Sequence, residues 1–132
     1  MKAVAFIAAM AMSVSSQAQT TGQFDLICKH DGDVNVINGQ KEAQFVPPTP
    51  AKDRHYSVDL SRRMYCSQDK KGFCSTTQTL TYDDSFIRFS ERVSVNRRDG
   101  GLLSISDING SLMSSMFKCG RAPFTPFPEQ QF

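Results

Sequence analysis

The chain has 132 residues, four cysteines and no tryptophan, with 15 lysines and arginines against 13 aspartates and glutamates. That length suits one domain. A formal net charge of +2 excludes the strong overall field by which a protein gathers nucleic acid or an anionic membrane surface.

The first element is MKAVAFIAAMAMSVSSQAQT. Lys2 precedes an uncharged run from Ala3 to Val14, and Ser16 and Ala18 place small residues before a cleavage point. This is the layout of a secretory signal peptide over residues 1–18. Its apolar run is shorter than the ~20 residues that a membrane-spanning helix needs. The expectation is a single domain over residues 19–132, periplasmic or secreted, without a membrane span after cleavage. The cysteines agree with export, because an even count in a short exported chain implies two disulfides. Only the SQDKKGF loop separates Cys66 from Cys74, which favours that pair. Cys28 and Cys119 are then left to join the first predicted strand to the last. No C-x₂₋₄-C pair supports zinc instead.

Next come short runs of alternating polarity, the mark of half-buried strands. Phe24 to His30 sets Phe24, Leu26 and Cys28 against Asp25, Ile27 and Lys29. HDGDVNVINGQKE follows. Asp31, Asp33, Asn35 and Glu42 fall on positions 1, 3, 5 and 12 of a calcium-loop template. Val36 stands where that template needs glycine, and Asn38-Gly39 is a hairpin signal inside the supposed loop. The expectation is a turn at Asp31-Gly32-Asp33 and a strand from Val34 to Ile37. Only a looser ion site on Asp31 and Asp33 is left open. Phe45 to Asp53, with Pro47, Pro48 and Pro50, reads as an extended connector.

Further strands are expected at Tyr56–Leu60, Ser85–Ser90, Arg92–Asn96 and Leu102–Ile108. In the last, Leu103 and Ile105 are assigned to the face opposite Ser104 and Ser106. Asp83-Asp84-Ser85, Arg98-Asp99-Gly100-Gly101 and Asn109-Gly110 mark reversals. The fold class is all-β: a small antiparallel meander, closed or nearly closed into a barrel of about eight short strands and stapled by disulfides. Closure makes the first and last strands neighbours, as a Cys28–Cys119 bridge requires. Residues 120–132 form a Pro/Phe-rich tail whose Phe124 and Phe127 pack onto the barrel, close its mouth or meet a partner.

No constellation with catalytic spacing emerges. Ser67–Lys70 and Ser115–Lys118 match S-x-x-K, but neither lies on the helix that would join serine to lysine. His30 and His55 have carboxylate neighbours in sequence, Asp31 and Asp53, and read as exposed strand-end residues. No G-x-S-x-G elbow or phosphate-binding loop is present. The doublets Arg62-Arg63, Lys70-Lys71 and Arg97-Arg98 sit beside turns and read as solvated hairpin ends. A basic recognition patch would need them to converge.

Cys28 in an early strand and Cys119 near the C terminus, behind a signal peptide, give a layout that resembles small periplasmic β-barrel lysozyme inhibitors. The resemblance covers architecture only, because the Ser-Gly-x-x-Tyr-like inhibitory loop is absent. Nor is the early G-x-W signature of lipocalins present. The function expected is a non-enzymatic, monomeric binding domain without a cofactor, acting on a protein or small-molecule partner and not on nucleic acid. The alternative is a structural or stress-related envelope protein that takes no small ligand.

Overall fold

A computed structural model describes residues 22–36, 44–74, 76–108 and 110–128. The predicted signal peptide and the Asn38-Gly39 turn lie outside these residues. The strands are β1 (Gln23–Val36), β2 (Gln44–Val46), β3 (Arg54–Asp59), β4 (Met64–Gln68), β5 (Gln78–Thr79), β6 (Thr81–Tyr82), β7 (Phe86–Ser90), β8 (Val93–Asn96), β9 (Gly101–Ile108) and β10 (Ser111–Ala122). Among the described residues the only helical turn is a 3-10 turn at Pro50–Lys52. No helix there is long and apolar enough to cross a membrane.

All pairings are antiparallel, in the order β5-β4-β3-β1-β10-β9-β8-β7-β6, with β2 added beside β1. The two ends of this path, β5 and β6, are consecutive in the chain and interrupted only at Leu80. One bent run therefore pairs with β4 on one side and β7 on the other, nearly closing the barrel. Leu80 holds the bend: its side chain is buried, and its N–H donates to the Arg63 carbonyl at 2.9 Å.

First and last strands are neighbours, as expected. Cys28 and Cys119 are register partners in the β1–β10 ladder and are bonded, as are Cys66 and Cys74. Two disulfides suit an oxidising compartment. Ile108 and Ser111 also pair directly, with Gly110 at φ 83°, in keeping with a two-residue hairpin.

Alternate residues of successive strands point inward and fill the barrel. Phe24, Leu26, Tyr56, Val58, Tyr65, Ile87, Phe89, Val95, Leu102 and Phe117 form one apolar cluster. At its centre Phe89 lies 4.5 Å from Tyr56 and 4.4 Å from Tyr65, ring centre to ring centre. The interior is a plug rather than a tunnel.

Three local expectations are corrected. Asp31-Gly32-Asp33 does not turn the chain; β1 runs through it, with a bulge between His30 and Gly32. The extra residue resets the alternation, so His30 and Asp33 both lie on the inner face, as the ladder pairs them with Phe117 and Ser115. In β9 the faces are the reverse of those assigned. Leu102 and Ser104 are buried, whereas Leu103 is 39% exposed. Ser104 is tolerated inside because Arg54 Nη2 donates to its hydroxyl at 3.2 Å. Finally, Phe45 to Asp53 is not wholly extended: it supplies β2 and the 3-10 turn.

Candidate functional site

The barrel ends differ, and the end formed by the start of β1 and the close of β3, β8 and β10 is open. A cup of about 340 Å³ sits there, with Phe24, Leu26, Ile87 and Val95 as its floor and Arg97, Arg98 and Arg121 on its rim. A second hollow of about 370 Å³ shares Phe24, Arg97 and Arg121 and extends to Leu60 and Tyr82. Strand periodicity explains the meeting. Arg121 follows Phe117 and Cys119 on the inward face of β10, while Arg63 and Arg97 occupy the turns after β3 and β8.

The arginines are ordered by rings. The Arg121 guanidinium carbon lies 4.4 Å from the Phe24 ring centre. Tyr82 carries Arg63 at 4.8 Å and Arg97 at 5.6 Å. A guanidinium over a ring is held by the π quadrupole while its N–H edge remains able to donate. Arg97 Nη1 also donates to the Asp83 carbonyl at 2.6 Å.

Other arginines are neutralised: Arg62 by Asp59 and Arg88 by Asp83. Among the described residues, Arg63, Arg97, Arg98 and Arg121 form no ion pair. Asp99 also lines the cup, with its Oδ1 accepting the Gly101 N–H at 2.7 Å, so one carboxylate stands among three arginines there. Of the hairpin-end doublets, Arg97-Arg98 lines the cup, whereas from Arg62-Arg63 only Arg63 comes near, over Tyr82 of the adjoining hollow. Lys70-Lys71 belongs to the disulfide loop and lines neither.

The opposite inner end is polar but internally satisfied. His30 Nδ1 accepts the Thr49 N–H at 2.9 Å, so the ring donates from Nε2 to Asp33 Oδ1 at 2.7 Å. Lys52 Nζ donates to Asp33 Oδ2 at 2.6 Å. Burial raises the Asp33 carboxyl, but the bonds from Lys52, His30 and Ser115 outweigh it and hold the pKa at about 2. A lysine therefore stands where the looser ion site would have placed a cation, and Asp31 is exposed. His30 is buried rather than exposed because of the bulge, and its carboxylate partner is Asp33, not Asp31.

On the outer wall His55 Nε2 meets Asp25 Oδ2 at 2.8 Å, not Asp53. Thr125 donates to Asp25 from its backbone N–H at 2.9 Å and from its hydroxyl at 2.6 Å. Ser57 bonds Gln68 at 2.7 Å, so serine and histidine are not joined as a nucleophile needs. The tail beginning at Gly120 thus packs along the wall: Phe124 and Phe127 meet edge to face, and Arg62 lies over Phe127. Its described residues after Arg121 do not line the cup.

Comparison of the chain with protein-family models, with curated proteins and with solved structures returns no match.

Proposed function

We propose that this protein is a non-enzymatic binding domain of an exported, oxidising compartment and that it takes an anionic partner at the arginine-rimmed mouth. The observation that carries this reading is the convergence of Arg97, Arg98 and Arg121 around a cup whose lining holds one carboxylate, Asp99, in no ion pair with them among the described residues, with Arg63 over Tyr82 of the adjoining hollow. Three guanidiniums against one carboxylate leave the lining of the cup net positive, and a cleft lined by an excess of one charge draws ligands of the other. Of the two histidine–aspartate pairs, one is buried and saturated, and in the other Thr125 of the tail occupies Asp25 while His55 stays partly exposed, with no nucleophile joined to it among the described residues.

Thermal unfolding with added inorganic phosphate or citrate tests the reading, because a ligand of the native state raises Tm. Multivalent anions also stabilise proteins nonspecifically, so the comparison is with R97Q/R121Q. The expected result is a saturable rise for the wild type that this double variant loses. Equal shifts in both proteins, or none in either, would refute it, the second outcome favouring an envelope protein without a small ligand. Turnover that disappears on replacing His30 or His55 would overturn the non-enzymatic part.

A further inference from the structure

Resting on that reading of the mouth, we infer that its ligand is a small amphiphilic anion. A carboxylate or phosphate head would be held by Arg97 and Arg121, and a compact apolar body would lie on Leu26, Ile87 and Val95. Three observations lead here. The first is the lining itself. A site for a bare inorganic anion needs donors on every side, yet beneath the rim the cup is floored by Phe24, Leu26, Ile87 and Val95. Its volume of about 340 Å³ lies at the small end of the range for organic ligands. An apolar floor under convergent polar groups is the usual division of labour in such sites, the floor supplying affinity and the rim orientation.

The second observation is depth. Tyr56, Tyr65 and Phe89 plug the barrel below the floor. A long acyl chain cannot thread the core, so methylenes beyond the cup would remain in water and add little. The third concerns the rings. Tyr82 is flanked by Arg63 and Arg97, and Phe24 is covered by Arg121. Each ring is thus already engaged by a guanidinium, and Phe24 is buried, which sets this mouth apart from single-strand nucleic-acid sites built on exposed aromatic platforms. What the guanidiniums do offer is their N–H edges, whose fork matches the paired oxygens of a carboxylate or phosphate.

Titration by NMR can read rim and floor separately, through the arginine Nε–H signals and the methyl signals of Leu26, Ile87 and Val95. The probes are octanoate, octyl phosphate, 1-octanol and inorganic phosphate. Octanoate or octyl phosphate is expected to shift both sets saturably, and the tighter of the two identifies the head group. Octanol and phosphate should each bind at least about tenfold more weakly than that probe. R97Q/R121Q should weaken the preferred probe at least about tenfold, the scale of losing charge-assisted hydrogen bonds. R92Q, at the far end of the barrel, should leave it unchanged. Retained melting temperature in both variants separates lost binding from lost fold. Phosphate that binds as tightly as octanoate, moving rim signals only, would overturn the amphiphile while leaving the anion-binding mouth intact. Octanol that binds as tightly as octanoate would overturn the role of the head. No shift at the rim with any probe would overturn both readings.

Discussion

At the scale of single residues, Arg63 says most about the mouth. It is the one non-glycine residue with positive φ among the described residues, at 53°. The left-handed conformation costs a residue with a Cβ about 1–2 kcal/mol. The turn explains the conformation, since Arg63 N–H donates to the Leu60 carbonyl and its own carbonyl receives Leu80. It does not explain the arginine, because glycine or asparagine would make the same turn more easily. The side chain reaches Tyr82 beside Arg97. Strain at a site of gathered charge points to a use for the side chain rather than for the backbone. Arg63→Gly should therefore change stability by no more than about 1 kcal/mol, relief of the turn offsetting lost stacking and the extra freedom of the unfolded chain. Binding of anions at the mouth should weaken several-fold. Denaturant unfolding and an anion titration on the same variant check this. A large stability loss with unchanged binding would make Arg63 a structural residue. From the sequence the doublet was visible, but its direction was not, because it follows from where β3 ends relative to Tyr82.

At the scale of elements, the closing run at residues 78–82 is the part that pattern alone did not reveal. TTQTLTYD alternates only over Leu80 and Tyr82, too briefly to read as a strand, because its two halves pair on opposite sides of the barrel seam and only Leu80 is buried there. Leu80→Ala should cost about 2–5 kcal/mol, the range for truncating a buried leucine. It should also raise hydrogen exchange at the Leu80 amide, whose acceptor is the Arg63 carbonyl across the seam. A fall in stability without that local opening would mean that the run does not act as the seam. The reversed faces of β9 have a related cause. Leu102 and Leu103 are equally apolar, so composition cannot choose between them. The choice is made by the ladder, which sets Leu102 opposite Phe117 and Ser104 opposite Ser115, and by Arg54, which satisfies the buried hydroxyl. In β7 Phe86 and Ile87 are likewise adjacent and apolar, but Phe89 shares the Ile87 face and Arg88 the Phe86 face, which breaks the tie and made the strand legible.

At the scale of the whole molecule, the closed topology could be read from the cysteines before any ladder was known. A short polar loop claims Cys66 and Cys74, and the remaining pair must then bring the first strand to the last. The separations of 91 and 8 residues also rank the bridges. Chain-entropy reasoning gives about 4.5 kcal/mol for the long link and about 2.5 for the short one. Replacing Cys28 and Cys119 together by serine should lower the unfolding midpoint further than replacing Cys66 and Cys74, and equal losses would contradict that ranking.

Acid stability is a second global property, set by carboxylates that the sequence did not mark as buried. Burial raises the pKa values of Asp25, Asp33 and Asp59, but their hydrogen bonds reverse this and leave all three below the ordinary 3.8. Thr125 and His55 act on Asp25, Lys52 and His30 on Asp33, and Gln23, Ser61 and Arg62 on Asp59. A carboxyl whose folded pKa is depressed binds its proton more readily when unfolded. Its stabilising contribution is present above the unfolded value near 3.8 and is lost as pH falls through the folded value, which for Asp33 is about 2. The domain should keep its melting temperature down to about pH 4 and lose it steeply between about 4 and 2. Asp33→Asn should be less stable at neutral pH, by about 2 kcal/mol or more, because Lys52 loses its charged acceptor and the His30 N–H a strong one. Its acid limb should be shallower, because one depressed carboxyl no longer titrates. Melting curves of both proteins between pH 7 and pH 2 decide the matter. Parallel acid limbs would show that the buried His30–Asp33–Lys52 cluster is not part of what makes the barrel acid-sensitive.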